Sequence, residues 1–227
     1  MKFILGKKLE MTQVFREDGV VVPVTKVQVL PCQITQLKKG KVNAVQVGFA
    51  VCRDKVLSKS EKGHLNGLDK VKNLRDFRVE VKQLDGLKRG DYISVETFVV
   101  GERVAITGIS KGKGFQGVVR RHGFKGGPAS HGHKDNLRMP GSIGAGGPQH
   151  VFKGMRMGGR MGGDQVTVKN LEIIKIDLEN NEFYLKGAAP GARNGLLEIV
   201  CEGELKIKEI AKVEEIKVEE VKPDVVG

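Results

Sequence analysis

Between residues 108 and 163 the chain carries 17 of its 31 glycines, three prolines (Pro128, Pro140, Pro148) and only scattered apolar side chains. A segment of that composition cannot bury enough apolar surface to offset the entropy of ordering its backbone, about 1–2 kcal/mol per residue. Loops longer than about 12–15 residues without elements of their own are uncommon unless they are functional or disordered. The fold must therefore be built by the two flanks, with this segment as an arm between them. Its charge indicates what such an arm meets. Lys111, Lys113, Arg120, Arg121, Lys125, Lys134, Arg138, Lys153, Arg156 and Arg160 are set against a single acid, Asp135, a net +9. The 227-residue chain has a net charge of +12, which leaves only +3 for everything else. A loop that needs only solubility intersperses acids with bases, so this one points to a polyanion.

The flanks read as β. TQVF and VVVPVTKVQV are separated by the turn REDG, and QITQL and VNAVQVGFAV by KKGK, which are short Val-rich runs punctuated by turn residues. Pro23 has no N–H for a ladder, so its strand is expected at an edge or a bulge. DYISVETF and ERVAITGI precede the arm, while QVTVKNLEIIKIDL, FYLKG and NGLLEIVCEGE follow it, with ENNE as a hairpin turn. About eight to ten short strands and few helices favour a mainly β fold, a closed antiparallel barrel. With aromatics at 5% and no Trp, Val, Ile and Leu must fill its core.

Residues 53–91 are polar and lack alternation, and read as a small mixed α/β insertion with short helices. The expected organisation is residues 1–107 as the first part of the barrel with that insertion, 108–163 as the extension, 164–204 as the rest of the barrel, and 205–227 as a charged tail, helical or disordered. Cys32, Cys52 and Cys201 are distant and odd in number, as buried reduced thiols would be. The apolar run in MKFILGKKLEM is too short for a signal peptide, so a cytoplasmic chain without a membrane span is expected.

Gly112, Gly114 and Gly117 spell G-x-G-x-x-G in GISKGKGFQGVVRRHGF. A dinucleotide turn also needs a helix to follow and an acid ending a second strand about 20 residues on. VVRRHGFKGGP is β-branched, then glycine-rich and broken by proline, and Asp135 lies in no strand. A Walker loop fails on spacing, and no G-x-S-x-G elbow or carboxylate pair is present. His131 and His133 lack the nearby ligands a zinc site would need, so no metal or cofactor is expected. Four of the five histidines (His122, His131, His133, His150) lie in the arm and suit phosphate or base edges. Nothing is shaped for the DNA major groove, whereas an irregular arm suits the surface of a structured RNA.

MKFILGKKLEMTQVF, SKGKGFQGVVRRHGF, RMPGSIG, VFKGMRMGGRMGGDQVTVKNLEII and LKGAAPGA run in order from residue 1 to about 203. Together they resemble the bacterial branch of the large-subunit ribosomal protein three family. The resemblance implies a six-stranded translation-factor-like barrel, an inserted lobe, and an extension entering the large-subunit RNA toward the peptidyl transferase centre. It also implies RNA binding near the 3′ end early in assembly, and neighbours from ribosomal protein families fourteen and nineteen, without homo-oligomers. Lys111, Lys113, Arg120 and Arg121 match the start of the extension, and His131 and His133 a histidine-bearing bend. Arg138 precedes the Pro140-Gly141-Ser142 turn, and Lys153, Arg156 and Arg160 match the returning limb. Lys7, Lys8, His122, Lys125, Lys134, Gln149 and His150 complete the expected RNA-binding set.

Two positions depart from the family pattern. Glu10 stands where a glycine is usual, and GAGGPQHVFKG departs from the family's loop, so Gln149 does not align with the glutamine that some members methylate. Two other functions remain open at this point: a transient RNA chaperone or assembly factor, and a nucleotide- or flavin-binding barrel enzyme.

Overall fold

A computed structural model of the chain describes residues 1–40, 42–84, 86–205 and 207–208. The strands are β1 (Lys2–Phe15), β2 (Val21–Gln28), β3 (Cys32–Lys38), β4 (Ala44–Val51), β5 (Val71–Arg78), β6 (Tyr92–Ile93) and β7 (Arg103–Ile109) before the arm. β8 (Phe115–Gln116) and β9 (Gly159–Arg160) lie within it, and β10 (Gln165–Asp177), β11 (Glu182–Lys186), β12 (Leu196–Cys201) and β13 (Ile207–Lys208) follow. Helices are short: α1 (Lys59–His64), α2 (Val81–Leu84) and α3 (Val118–His122). The fold is thus mainly β, as the Val-rich runs imply.

Among the described residues, β1, β12, β7, β10, β11 and β2 hydrogen-bond in a closed antiparallel ring. Alternation drives it. Val104 and Ile106 of β7, Phe183 and Leu185 of β11, and Leu197, Ile199 and Cys201 of β12 are buried at every second position. β1 is different, because Phe3, Ile4 and Leu5 are all fully buried. One face of this strand serves the ring and the other meets the second sheet, where Phe3 stacks on Phe77 of β5 at 4.6 Å between centroids.

That second sheet, ordered β13-β6-β3-β4-β5, corrects the expected boundary. β3 and β4, which read in sequence as a continuation of β1 and β2, pair instead with β5 and β6. The unit outside the ring therefore starts at Cys32 rather than near residue 53. Ser58 and Glu61 form a capping box on α1. The expected tail begins as an edge strand, Ile207 opposite Ile93, and its remainder from residue 209 lies outside the described residues.

Pro23 is also placed differently from expectation. β2 is paired on both sides, to β1 and β11. The Pro23 carbonyl accepts from Gly187 N–H at 2.8 Å, so its missing N–H faces the same side. β11 ends there, and the Gly187 carbonyl that an N–H at this position would have met accepts from the Thr25 hydroxyl at 2.6 Å instead. Glu10 sits where the β1–β2 register shifts between Lys8 and Met11, without a positive φ. The usual glycine is therefore dispensable at this bulge. Cys32 is fully buried, which pushes its thiol up to about 12, and Cys201 is buried as well.

Candidate nucleic-acid interface

The arm leaves the ring along β7 and returns along β10, two strands that are themselves partners, with Ile109 opposite Gln165. The pairing continues outward. Ser110 N–H donates to Asp164 O (2.9 Å), Lys113 N–H to Met161 O (2.8 Å) and Met161 N–H to Gly114 O (3.0 Å). Beyond these, Phe115 pairs with Arg160 and Gln116 with Gly159 in the β8–β9 ribbon. Gly162, at φ 75°, lets the limbs touch, since a Cβ there would collide with the Lys111 carbonyl.

The stretch VVRRHGFKGGP, not expected to supply the helix of a dinucleotide turn, does hold one short helix. α3 makes a single turn from Val118 to His122, closed by Gly123 at φ 73°. Val118 is buried, and Arg121 and His122 reach across to the Met157 carbonyl at 2.9 and 3.0 Å. These two side chains staple the limbs into a stalk. A five-residue turn with Arg120 and Arg121 in it still gives no dinucleotide site. Gly112 and Gly117 have open space around them and no left-handed φ.

Past the stalk the chain changes character. Among the described residues none from 125 to 157 is buried, and regular elements are lacking. A Gly127 N–H bond to Leu137 O at 3.0 Å closes one loop, where Gly126 allows the crossing. A cleft of about 620 Å³ beside it is lined by Phe124, Lys125, Asn136, Met139 and Pro140. His131, at φ 58°, His133, Lys134 and Arg138 lie around this loop, while Gln149, His150, Lys153 and Arg156 lie on the returning limb, all exposed. Phe152, Val151, Ile143 and Met139 are exposed with them.

The ten basic residues of the arm are all exposed. Among the described residues every ion pair, such as Lys2–Glu102 at 2.6 Å, Lys38–Asp76 and Arg75–Glu198 at 2.9 Å, belongs to the ring or the second sheet. None involves the arm. No group of three or more His, Cys, Asp or Glu converges as a metal site among the described residues.

Lys7 and Lys8 separate at the arm's root. Lys7 is half-exposed, but Lys8 is 9% exposed and turned inward. Its ammonium donates to Ala189 O at 2.7 Å and Gly191 O at 3.1 Å. Burial, and after it the nearby Lys111 ammonium, lowers its pKa. The expected RNA contact of Lys8 is therefore corrected to an internal one: it fastens the loop of residues 187–195, which also lies against the end of β7, to β1. Gly108 and Gly191 permit that packing, since a Cβ on either would meet Leu197 or the Ile109 carbonyl within 2.8 Å. Sequence reading missed this role because a lysine beside a lysine looks like surface, and the only signal was the Gly-Pro-rich AAPGA.

Comparison with known proteins adds an independent line. A model of the family described as ribosomal protein L3 matches residues 79–184. A protein of Roseiflexus sp. (strain RS-1) named large ribosomal subunit protein uL3 is 49% identical over 86% of this chain and 95% of its own length. Proteins of the same name from Herpetosiphon aurantiacus and Bacillus cytotoxicus are 47% and 44% identical, over 86% and 90% of this chain and 94% and 98% of their own lengths.

Proposed function

The chain belongs to the ribosomal protein L3 family, and from that premise we propose that it is a structural constituent of the large ribosomal subunit in the cytoplasm. It is no enzyme; its task is to bind large-subunit ribosomal RNA directly, with neighbouring ribosomal proteins beside it. The ring acts as a translation-factor-like barrel, and the arm runs toward the peptidyl transferase centre. Binding near the 3′ end of the RNA, early in assembly, and contacts with families fourteen and nineteen belong to the same reading.

The observation that carries it is the set of ten exposed cations without an ion partner among the described residues. In the arm the charge that would ordinarily neutralise them has to come from outside. Arginine and lysine at this spacing neutralise phosphates along a threaded strand, and arginine can also bridge two oxygens. Glycines at 112, 117, 144, 146 and 147 have open space and no left-handed φ in the free chain. Their lack of a side chain becomes useful when a nucleic-acid backbone lies against them.

Binding to large-subunit RNA tests the reading. With six to ten phosphates neutralised, affinity falls about 10³- to 10⁵-fold between 50 and 200 mM salt. A flat salt response would refute it. The transient-factor alternative predicts release from mature subunits in a high-salt wash, whereas a resident protein stays.

A further inference from the structure

The RNA track described so far ends at the arm's root, yet the cations do not. Lys7 of β1 and Lys72 of β5 line one cavity of about 330 Å³ at the seam of the two sheets, with Asn73 and Asn194 beside them over Phe49 and Leu196. Of the described residues, no carboxylate lines it. Among the described residues neither lysine takes part in an ion pair, although eight other bases do so elsewhere in the ring and second sheet.

The backbone at this seam is also unusual. Ala50 (φ 64°) and Asn194 (φ 65°), two of the five non-glycine residues with positive φ among those described, both border the cavity. Asparagine tolerates that region, but alanine disfavours it, and such strain gathers at functional sites. The β4–β5 register pairs Phe49 with Asn73 and Val51 with Val71, passing over Ala50 and Lys72 between them. Asn194 is held rigidly, its N–H on Lys8 O at 2.8 Å. A neighbouring cleft of about 740 Å³ shares Leu196 with this cavity and reaches Lys111, Gly112 and Gln165 at the arm's root. Its two acids, Asp76 and Glu198, are already paired, with Lys38 and Arg75.

We propose that the seam is a second phosphate site for the RNA backbone, separate from the arm. One phosphodiester sits between the ammonium groups of Lys7 and Lys72, and the side-chain amides of Asn73 and Asn194 donate to its oxygens. The RNA path then runs from the arm through the Lys111 cleft onto the junction of the sheets, and this inference rests on the RNA-binding reading above. An acidic peptide would also satisfy the two lysines, but continuity with the Lys111 cleft and the arm favours the nucleic-acid backbone.

The experiment is titration of the full chain with transcribed large-subunit ribosomal RNA at several salt concentrations. Lys72→Ala lowers the salt slope by about one and weakens binding about five- to tenfold at 0.1 M salt. Asn194→Asp, which keeps a residue tolerant of positive φ, weakens binding as well, and Lys72→Arg restores the wild-type slope. Melting curves confirm that each variant is folded. A steep salt response in the unaltered chain with Lys72→Ala and Asn194→Asp indistinguishable from it overturns this site and leaves the arm's role intact. A flat response in the unaltered chain overturns both. Lost capture of an acidic ribosomal protein by Lys72→Glu, with RNA affinity unchanged, assigns the seam to a protein neighbour and also overturns the proposal.

Discussion

Along β7, Val104, Ile106 and Gly108 are buried at every second position, while a few residues further on, from 125 to 157, no described residue is buried at all. The two stretches are continuous in sequence and differ in what compensates their ordering. The ring gains from apolar area removed from water, at roughly 25 cal/mol per Å². The outer arm has no such area, and its five exposed cations, half of the arm's ten, have no ion partner among the described residues. The stalk between them is intermediate, with a ribbon of backbone bonds and the Arg121 and His122 staple but only Val118 buried. On the RNA-binding reading proposed for this chain, shape is intrinsic near the ring and borrowed farther out.

That contrast is sharpened by substitutions, ranked by their effect on the free protein. Ile106→Ala, at a fully buried position of the ring, should lower unfolding free energy by about 2–5 kcal/mol in denaturant titration. Lys8→Met should lower it by about 1–3 kcal/mol, since the Ala189 and Gly191 carbonyls lose their donor. A neutral result there would make Lys8 the surface cation it resembles in sequence.

Tyr92→Phe should cost roughly 0.5–1.5 kcal/mol, because the hydroxyl donates to Asp69 at 2.5 Å and accepts from Gln33 at 3.0 Å. Burial, and then Asp69, push this phenol up to about 12. A raised folded-state pKa contributes stability that is complete below the unfolded value near pH 10 and is lost as pH climbs through about 12. Stability measured across that window should fall in the wild type, and Tyr92→Phe should lack this contribution to the fall.

The smallest effect is expected in the arm. The double change Arg156→Ala and Arg160→Ala should move free-protein stability by less than about 0.5 kcal/mol, yet lower the salt slope of RNA binding by about two. A large drop in melting temperature would break the division between the regions.

Much of the ring was legible because β7, β11 and β12 alternate cleanly and the turns carry their own chemistry. Gly19 at φ 75° closes REDG, and Asp177 accepts from Glu179 and Asn180 N–H while Asn181 takes φ 52° in the ENNE turn. The pairing of β3 and β4 was not legible, because alternation says which face is buried and not which strand lies alongside. β5 was hidden as well: in VKNLRDFR only Val71 and Phe77 are buried. At the interface, the exposed cations followed directly from composition. The inward turn of Lys8 and the stapling by Arg121 and His122 did not, because each depends on a carbonyl supplied by residues at least 35 positions away.

Amide hydrogen exchange of the free chain and of its complex with large-subunit ribosomal RNA tests the borrowed shape most directly. Free, the amides of β7, β11 and β12 should exchange slowly and those of residues 125–157 at nearly the unprotected rate; with RNA bound, the outer arm should become protected and the ring should change little. Slow exchange throughout residues 125–157 in the free chain, or no added protection on binding, would contradict it.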